Sequence, residues 1–141
     1  MMFPKSIAFT GLLIICLFHT DFVRTHNASG LPDLKIVQYE FVSTNDKGLR
    51  VQVTNAGKAA SRPCRLELAI RKIKGVGATR TAFETLPAIE PGKEEWITLS
   101  ATGILPAAIS LKETTFRLTV DETRIVAESN EDNNETWYNS N

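Results

Sequence analysis

The strongest constraint on what this chain can fold into is a two-residue rhythm. Leu49, Val51 and Val53 alternate with Arg50, Gln52 and Thr54; Leu66, Leu68 and Ile70 alternate with Arg65, Glu67, Ala69 and Arg71. Phe116, Leu118 and Val120 alternate with Arg117 and Thr119. Successive side chains on an extended strand point to opposite faces, so each run reads as a strand with one buried and one wetted side. Asp33 to Val42 is equally rich in strand formers, but its apolar parity switches between Ile36 and Val37. Such a switch predicts a bulge, or a strand that passes from one sheet to another.

Thr79 to Leu86, Glu95 to Leu99 and Glu135 to Tyr138 bring the expected total to about seven short strands. Turn chemistry lies between them, at Asn45-Asp46-Lys47-Gly48, Gly75-Val76-Gly77 and Pro91-Gly92. Pro91 presets φ and Gly92 supplies a positive φ, which predicts a type II turn. Asn55-Ala56-Gly57 ends its strand with residues that tolerate positive φ. Pro106 limits the apolar stretch Ile104 to Leu111 to a single helical turn. The pattern predicts an all-β antiparallel sandwich whose core is filled by the inward rows and Trp96.

Residue positions exclude much familiar chemistry. His19, His26 and Cys16 all precede Leu31, and Cys64 is the one remaining cysteine. From Leu31 onward a Ser-His-Asp or Cys-His site, a histidine-ligated zinc and an internal disulfide are therefore ruled out. Cys64 opens an alternating apolar run and reads as a small buried hydrophobe, in preference to an intermolecular disulfide. Sixteen Lys and Arg balance sixteen Asp and Glu, which argues against a nucleic-acid binder.

The first thirty residues read as an address. Lys5 precedes an uncharged run from Ile7 to Phe18. As a helix that run spans about 18 Å, too short for a hydrocarbon core of about 30 Å. The pattern is that of a secretory signal peptide over residues 1–30, with Ala28-Ser29-Gly30 the best small-residue cleavage site. Rival readings are lipidation at Cys16, against which bulky Ile15 counts, and an uncleaved anchor. The expectation is a secreted, periplasmic or cell-envelope location, no stable membrane span in the mature chain, and one domain over residues 31–141.

Three motifs carry a resemblance. Leu31-Pro32-Asp33-Leu34 opens the first strand, and Val51 to Ser61 contains Asn55-Ala56-Gly57 followed by small residues. Most specific is Asp121, then Val126-Ala127-Glu128-Ser129-Asn130-Glu131-Asp132-Asn133-Asn134. Together they resemble the cell-adhesion-related domain found in bacteria (CARDB), over essentially Leu31 to Tyr138. The turn at Pro91-Gly92 also fits the one before that family's fifth strand. The resemblance implies an immunoglobulin-like β-sandwich of about seven strands and a non-catalytic adhesion or binding role at the cell envelope. Members of the family are commonly modules of long surface proteins, whereas this chain reads as an export segment and a single copy.

Between Asp121 and Glu135 stand six acidic residues and one basic. Hard cations take several oxygen ligands, so Asp121, Glu128, Asn130, Glu131, Asn133 and Asn134 are candidate calcium ligands. The spacing is not that of an EF-hand, because Glu135 stands where the glycine and Asn141 where the final glutamate would be required. The competing expectation is that these side chains cap the backbone of a long connection, with no cofactor. Eight basic residues between Arg50 and Arg80 face one acidic residue, Glu67, and read as a solvated sheet face. Arg65 and Arg71 remain candidates for partner contact.

Trp137 and Tyr138 are the other partner-binding candidates; as strand neighbours they point to opposite faces, so the sheet buries at most one. Asn27-Ala28-Ser29 and Asn134-Glu135-Thr136 match the glycosylation sequon, which matters only in a eukaryotic secretory host. A hydrolase using paired carboxylates, such as Glu94 and Glu95 or those of the acidic loop, is the minority alternative, since adjacent strand residues make a poor carboxylate pair. The sequence thus favours contact with a protein or glycan of the envelope, including strand addition at a sheet edge.

Overall fold

The computed structural model describes residues 30–42 and 46–140. The export segment expected over residues 1–30 lies, but for Gly30, outside them. Among the described residues seven strands form two antiparallel sheets: β1 (Leu34–Val42), β2 (Gly48–Asn55), β3 (Cys64–Ile73), β4 (Val76–Leu86), β5 (Glu94–Ser100), β6 (Thr114–Val120) and β7 (Glu135–Tyr138). The first sheet has the order β1-β2-β5 and the second β4-β3-β6-β7. The alternating rows face each other across the sandwich. Leu49, Val51 and Val53 meet Leu66, Leu68, Ile70, Phe116, Leu118 and Val120 in one buried cluster, each such burial being worth about 1.5–3 kcal/mol.

The parity switch in β1 is a bulge. Ile36 pairs with Val53 and Gln38 with Gln52, so Val37 is the extra residue and points outward. Beyond it the inward row passes from Leu34 and Ile36 to Tyr39 and Phe41. Those two rings meet Phe116 and Tyr138 edge-on, joining β1 to β6 and β7 and closing one side of the sandwich. A second bulge, at Arg71, interrupts β3 against β6. Lys74 (φ 47°) and Gly75 (φ 79°) both sit in the left-handed region, which makes the β3–β4 hairpin a two-residue type I′ turn.

Pro91-Gly92 is the expected type II turn, with Gly92 at φ 72° and Lys93 N–H donating to Glu90 O over 3.0 Å. Ser110 caps the short 3₁₀ turn Leu111–Glu113, whose Glu113 carboxylate accepts from the Ser110 amide to complete a capping box.

Two expectations need correcting. Trp96 is outside the core. On β5 the inward row is Ile97 and Leu99; Trp96 pairs with outward Gln52, stays 37% exposed, and lies under the Arg50 guanidinium at 4.7 Å. Gly57 does not serve a positive φ either. A Cβ there would run into the backbone of Leu31, Pro32 and Asp33, so the glycine permits close approach of two chain segments.

Candidate functional site

The motif residues gather at one end of the sandwich, where they hold backbone. The side chain of Asn55, a fully buried residue at the end of β2, makes four hydrogen bonds. Its Oδ1 accepts from the amides of Asp33 and Gly57, both at 3.0 Å; its Nδ2 donates to the carbonyls of Ala59 and Ile89, both at 2.8 Å. Asp121, at φ 49°, turns the chain out of β6, and its carboxylate accepts from the amides of Ile125 (3.2 Å) and Val126 (2.9 Å). Glu128 Oε2 accepts from the Leu34 amide and Oε1 from Asn134 Nδ2 at 2.9 Å. Ser129 N–H donates to Pro32 O at 2.9 Å, and Asn133 Nδ2 to Asp33 Oδ1 at 2.8 Å.

The closing loop therefore grips the entry to β1. Burial opposes ionisation of Glu128 and pushes its carboxyl up to about 7, with the nearby Glu131 and Asp121 charges acting the same way. Cys64 lies buried next to this cap, and burial with the Asp121 charge pushes its thiol up to about 12. Such a thiol is inert at neutral pH.

Most of the oxygens of the six calcium candidates are already engaged, though Asn133 Oδ1, outside the hollow between β6 and the loop, carries no hydrogen-bond partner among the described residues. Asp121 and Glu128 spend their oxygens on amides, Asn130 Oδ1 accepts from the Asp132 amide at 3.1 Å, and Glu131 Oε1 accepts from the Glu128 amide at 3.0 Å. A shallow hollow of about 370 Å³ lies between β6 and the loop, and Thr119 Oγ1, Glu131 Oε2 and Asn134 Oδ1 beside it carry no hydrogen-bond partner among the described residues. No group of three or more His, Cys, Asp or Glu side chains suited to a metal ion occurs among the described residues.

The other candidates lie on the outer face of the four-stranded sheet. In register across it stand Arg117 opposite Trp137 and Ala69, and Glu67 opposite Phe83 and Thr119. Arg117 donates to Glu67 at 3.3 Å and Glu135 at 3.4 Å, with its guanidinium 6.0 Å from the Trp137 ring centre. Arg65 lies 4.5 Å over the ring of Phe83 and donates to both carboxylate oxygens of Glu122, at 3.1 and 2.9 Å. These neighbours leave Glu67 only 6% exposed, although it stands in the outward row.

Trp137 is 47% exposed on this face. Tyr138 is a correction to the pair of aromatic candidates, for it turns inward and stacks on Phe116 with centroids 4.9 Å apart. Arg71 sits at the bulge of β3, away from this row. Sequence reasoning missed Arg117 as the cross-strand neighbour of Trp137, because only strand order brings the two together. The basic stretch from Arg50 to Arg80 is dispersed, since Arg50 pairs with Glu40 on the first sheet and Lys74 with Glu113 at a hairpin.

Among the described residues no helix is long and apolar enough to cross a membrane. No curated protein matches the chain. Two of the solved structures similar to the chain bear on its fold. One is a domain of a Methanosarcina acetivorans protein named for the cell surface, with 19% identity, TM-score 0.56, and coverage of 76% of this chain and 88% of that one. The other is a CARDB domain from Pyrococcus furiosus solved in complex with di-metal ions, with 21% identity, TM-score 0.53, and coverage of 77% and 91%. At these identities the likeness is one of fold. The CARDB family model matches residues 31–137. With the sandwich and its motif-built cap in hand, that match settles the family: the chain belongs to CARDB, a family of cell-surface domains that is non-catalytic in general.

Proposed function

We propose that this chain is an exported, non-catalytic contact module of the cell envelope, and that it binds through the outer face of the four-stranded sheet. The observation that carries this reading is the setting of Trp137: a half-exposed indole flanked by Arg117 and Glu135 on the outer face of the edge strand β7. An exposed aromatic face beside fixed donors and acceptors suits a sugar ring, which presents apolar C–H groups and hydroxyls together. The ligand class favoured is thus an envelope glycan, with an envelope protein as the alternative occupant. A hydrolytic reading finds little support, as Glu94 and Glu95 lie on opposite faces of β5.

The test is retention of the purified chain on insoluble envelope polysaccharide, compared with capture of envelope proteins on the immobilised chain. Trp137→Ala and Arg117→Ala should each abolish the glycan retention while the protein stays folded. Retention that survives both substitutions overturns this face as the site.

A calcium-stabilised module is the second reading. It is favoured by the unpartnered oxygens of Thr119, Glu131 and Asn134 around one hollow, Asn134 being almost wholly buried. On this reading those three oxygens hold the cation, and chelation should lower the melting temperature by several degrees. An unchanged melting temperature with calcium and with chelator rejects it.

A further inference from the structure

The edge strand β4 differs from the edges β1 and β7, and it is longer than β5, the fourth edge, which has seven residues. Among the described residues β4 is the longest strand, eleven residues from Val76 to Leu86, and none of those described pairs with its side remote from β3. Proteins usually guard such an edge with shortness, proline, lysine or a central bulge. The edge strand β7 has four residues, and β1 carries Val37 as a bulge together with Lys35 and Glu40. In β4 there is no proline or lysine, and the irregularity of its pairing is confined to the hairpin end.

Its only charges are Arg80 and Glu84, both exposed. They share the core-facing side with Ala82, because Arg80 pairs with Ile70, Ala82 with Leu68 and Glu84 with Leu66. An arbitrary incoming strand would bring its own side chains against two unmatched charges. One strand matches them, namely β4 itself.

We propose that β4 pairs antiparallel with β4 of a second copy, about a twofold axis through Ala82, so that the two four-stranded sheets run on as one. Residues directly opposed in an antiparallel pair share a face. About Ala82, Arg80 meets Glu84 of the second copy and Glu84 meets its Arg80, while Thr81 meets Phe83 and Thr79 meets Thr85. Register is fixed by charge. Moving the axis by one residue either way leaves both charges facing uncharged side chains. Moving it by two places Arg80 against Arg80 or Glu84 against Glu84. Strand addition of this kind covers less surface than a standard protein interface, so the dimer is a weak one, of micromolar affinity or looser.

Sedimentation equilibrium of the full chain, purified as an exporting host delivers it, tests the inference. The expected result is a monomer–dimer equilibrium that weakens in high salt. Arg80→Glu and Glu84→Arg should each raise the dissociation constant at least tenfold, and the combined swap should return it to within about threefold of the parent value. Circular dichroism confirms the fold of each variant, whose altered side chain is exposed in the monomer. A chain that stays monomeric to millimolar concentration overturns the inference, as does dimerisation that ignores the single reversals or is not recovered in the double swap. Trp137→Ala should leave the dimer intact, which separates this edge from the proposed glycan face.

Discussion

Two polar regions of this molecule are built on opposite principles. At the cap, Asn55, Asp121 and Glu128 are buried and bonded to main chain, so each one replaces water that backbone groups have lost. On the outer sheet face, Arg65, Arg117 and Glu135 bond to other side chains and look out into solvent. The first arrangement dictates residue identity strictly, since few side chains fit the same amides and carbonyls in a dry space. The second tolerates exchange, because exposed ion pairs contribute about 0–1 kcal/mol. A sequence motif thus marks the part that holds the fold, while the exposed outer sheet face leaves almost no motif.

That contrast can be broken most severely at Asn55. Asn55→Ala takes a partner from four buried or part-buried backbone groups and should cost about 3–5 kcal/mol in urea unfolding, or abolish folding. Gly57→Ala forces a methyl group into the Leu31–Asp33 backbone and should cost about 2–3 kcal/mol, read from the same denaturation curve. A cost below about 1 kcal/mol for either would mean that the cap is looser than its geometry implies.

A pH titration sharpens the comparison further. Glu128 has its folded-state pKa raised, to about 7, so the folded state favours the protonated form. Its contribution to stability is fully present below the ordinary carboxylate range near 4.5 and is lost as pH rises through about 7. The chain should therefore be less stable at pH 7.5 than at pH 5 by about 1–2 kcal/mol from this group, after allowance for solvent screening. Glu128→Gln should flatten that slope; a slope that persists unchanged assigns it elsewhere. The smallest expected change is at the other region, where Trp137→Ala should move the unfolding midpoint by less than about 0.5 kcal/mol. A larger loss would make Trp137 a packing residue.

Legibility in the sequence followed the same division. Period-two rows placed β2, β3 and β6, and the parity switch at Ile36/Val37 located the bulge in β1, because burial on one face leaves an imprint on every second residue. Trp96 was misread because Trp96 and Ile97 are both apolar neighbours, and size alone does not say which of two adjacent residues a strand turns inward. Asn55 was legible only as a turn residue; that it binds four groups depends on the entry segment at Asp33 and the loop at Ile89 arriving beside it. The outer-face cluster was invisible for a related reason. Phe83, Glu67, Arg117 and Trp137 come from four strands, and their adjacency is a property of strand order.

The grip of the closing loop on the entry to β1 has a mechanical side. Leu34 is tethered through its amide to Glu128, Pro32 through its carbonyl to Ser129, and Asp33 through its carboxylate to Asn133. A tug on the chain at Leu31 is thus passed across the molecule to the β6–β7 connection before β1 can peel from β2. The same few side chains that set the fold would then act as a latch against shear between the entry to the chain's first strand and its last connection.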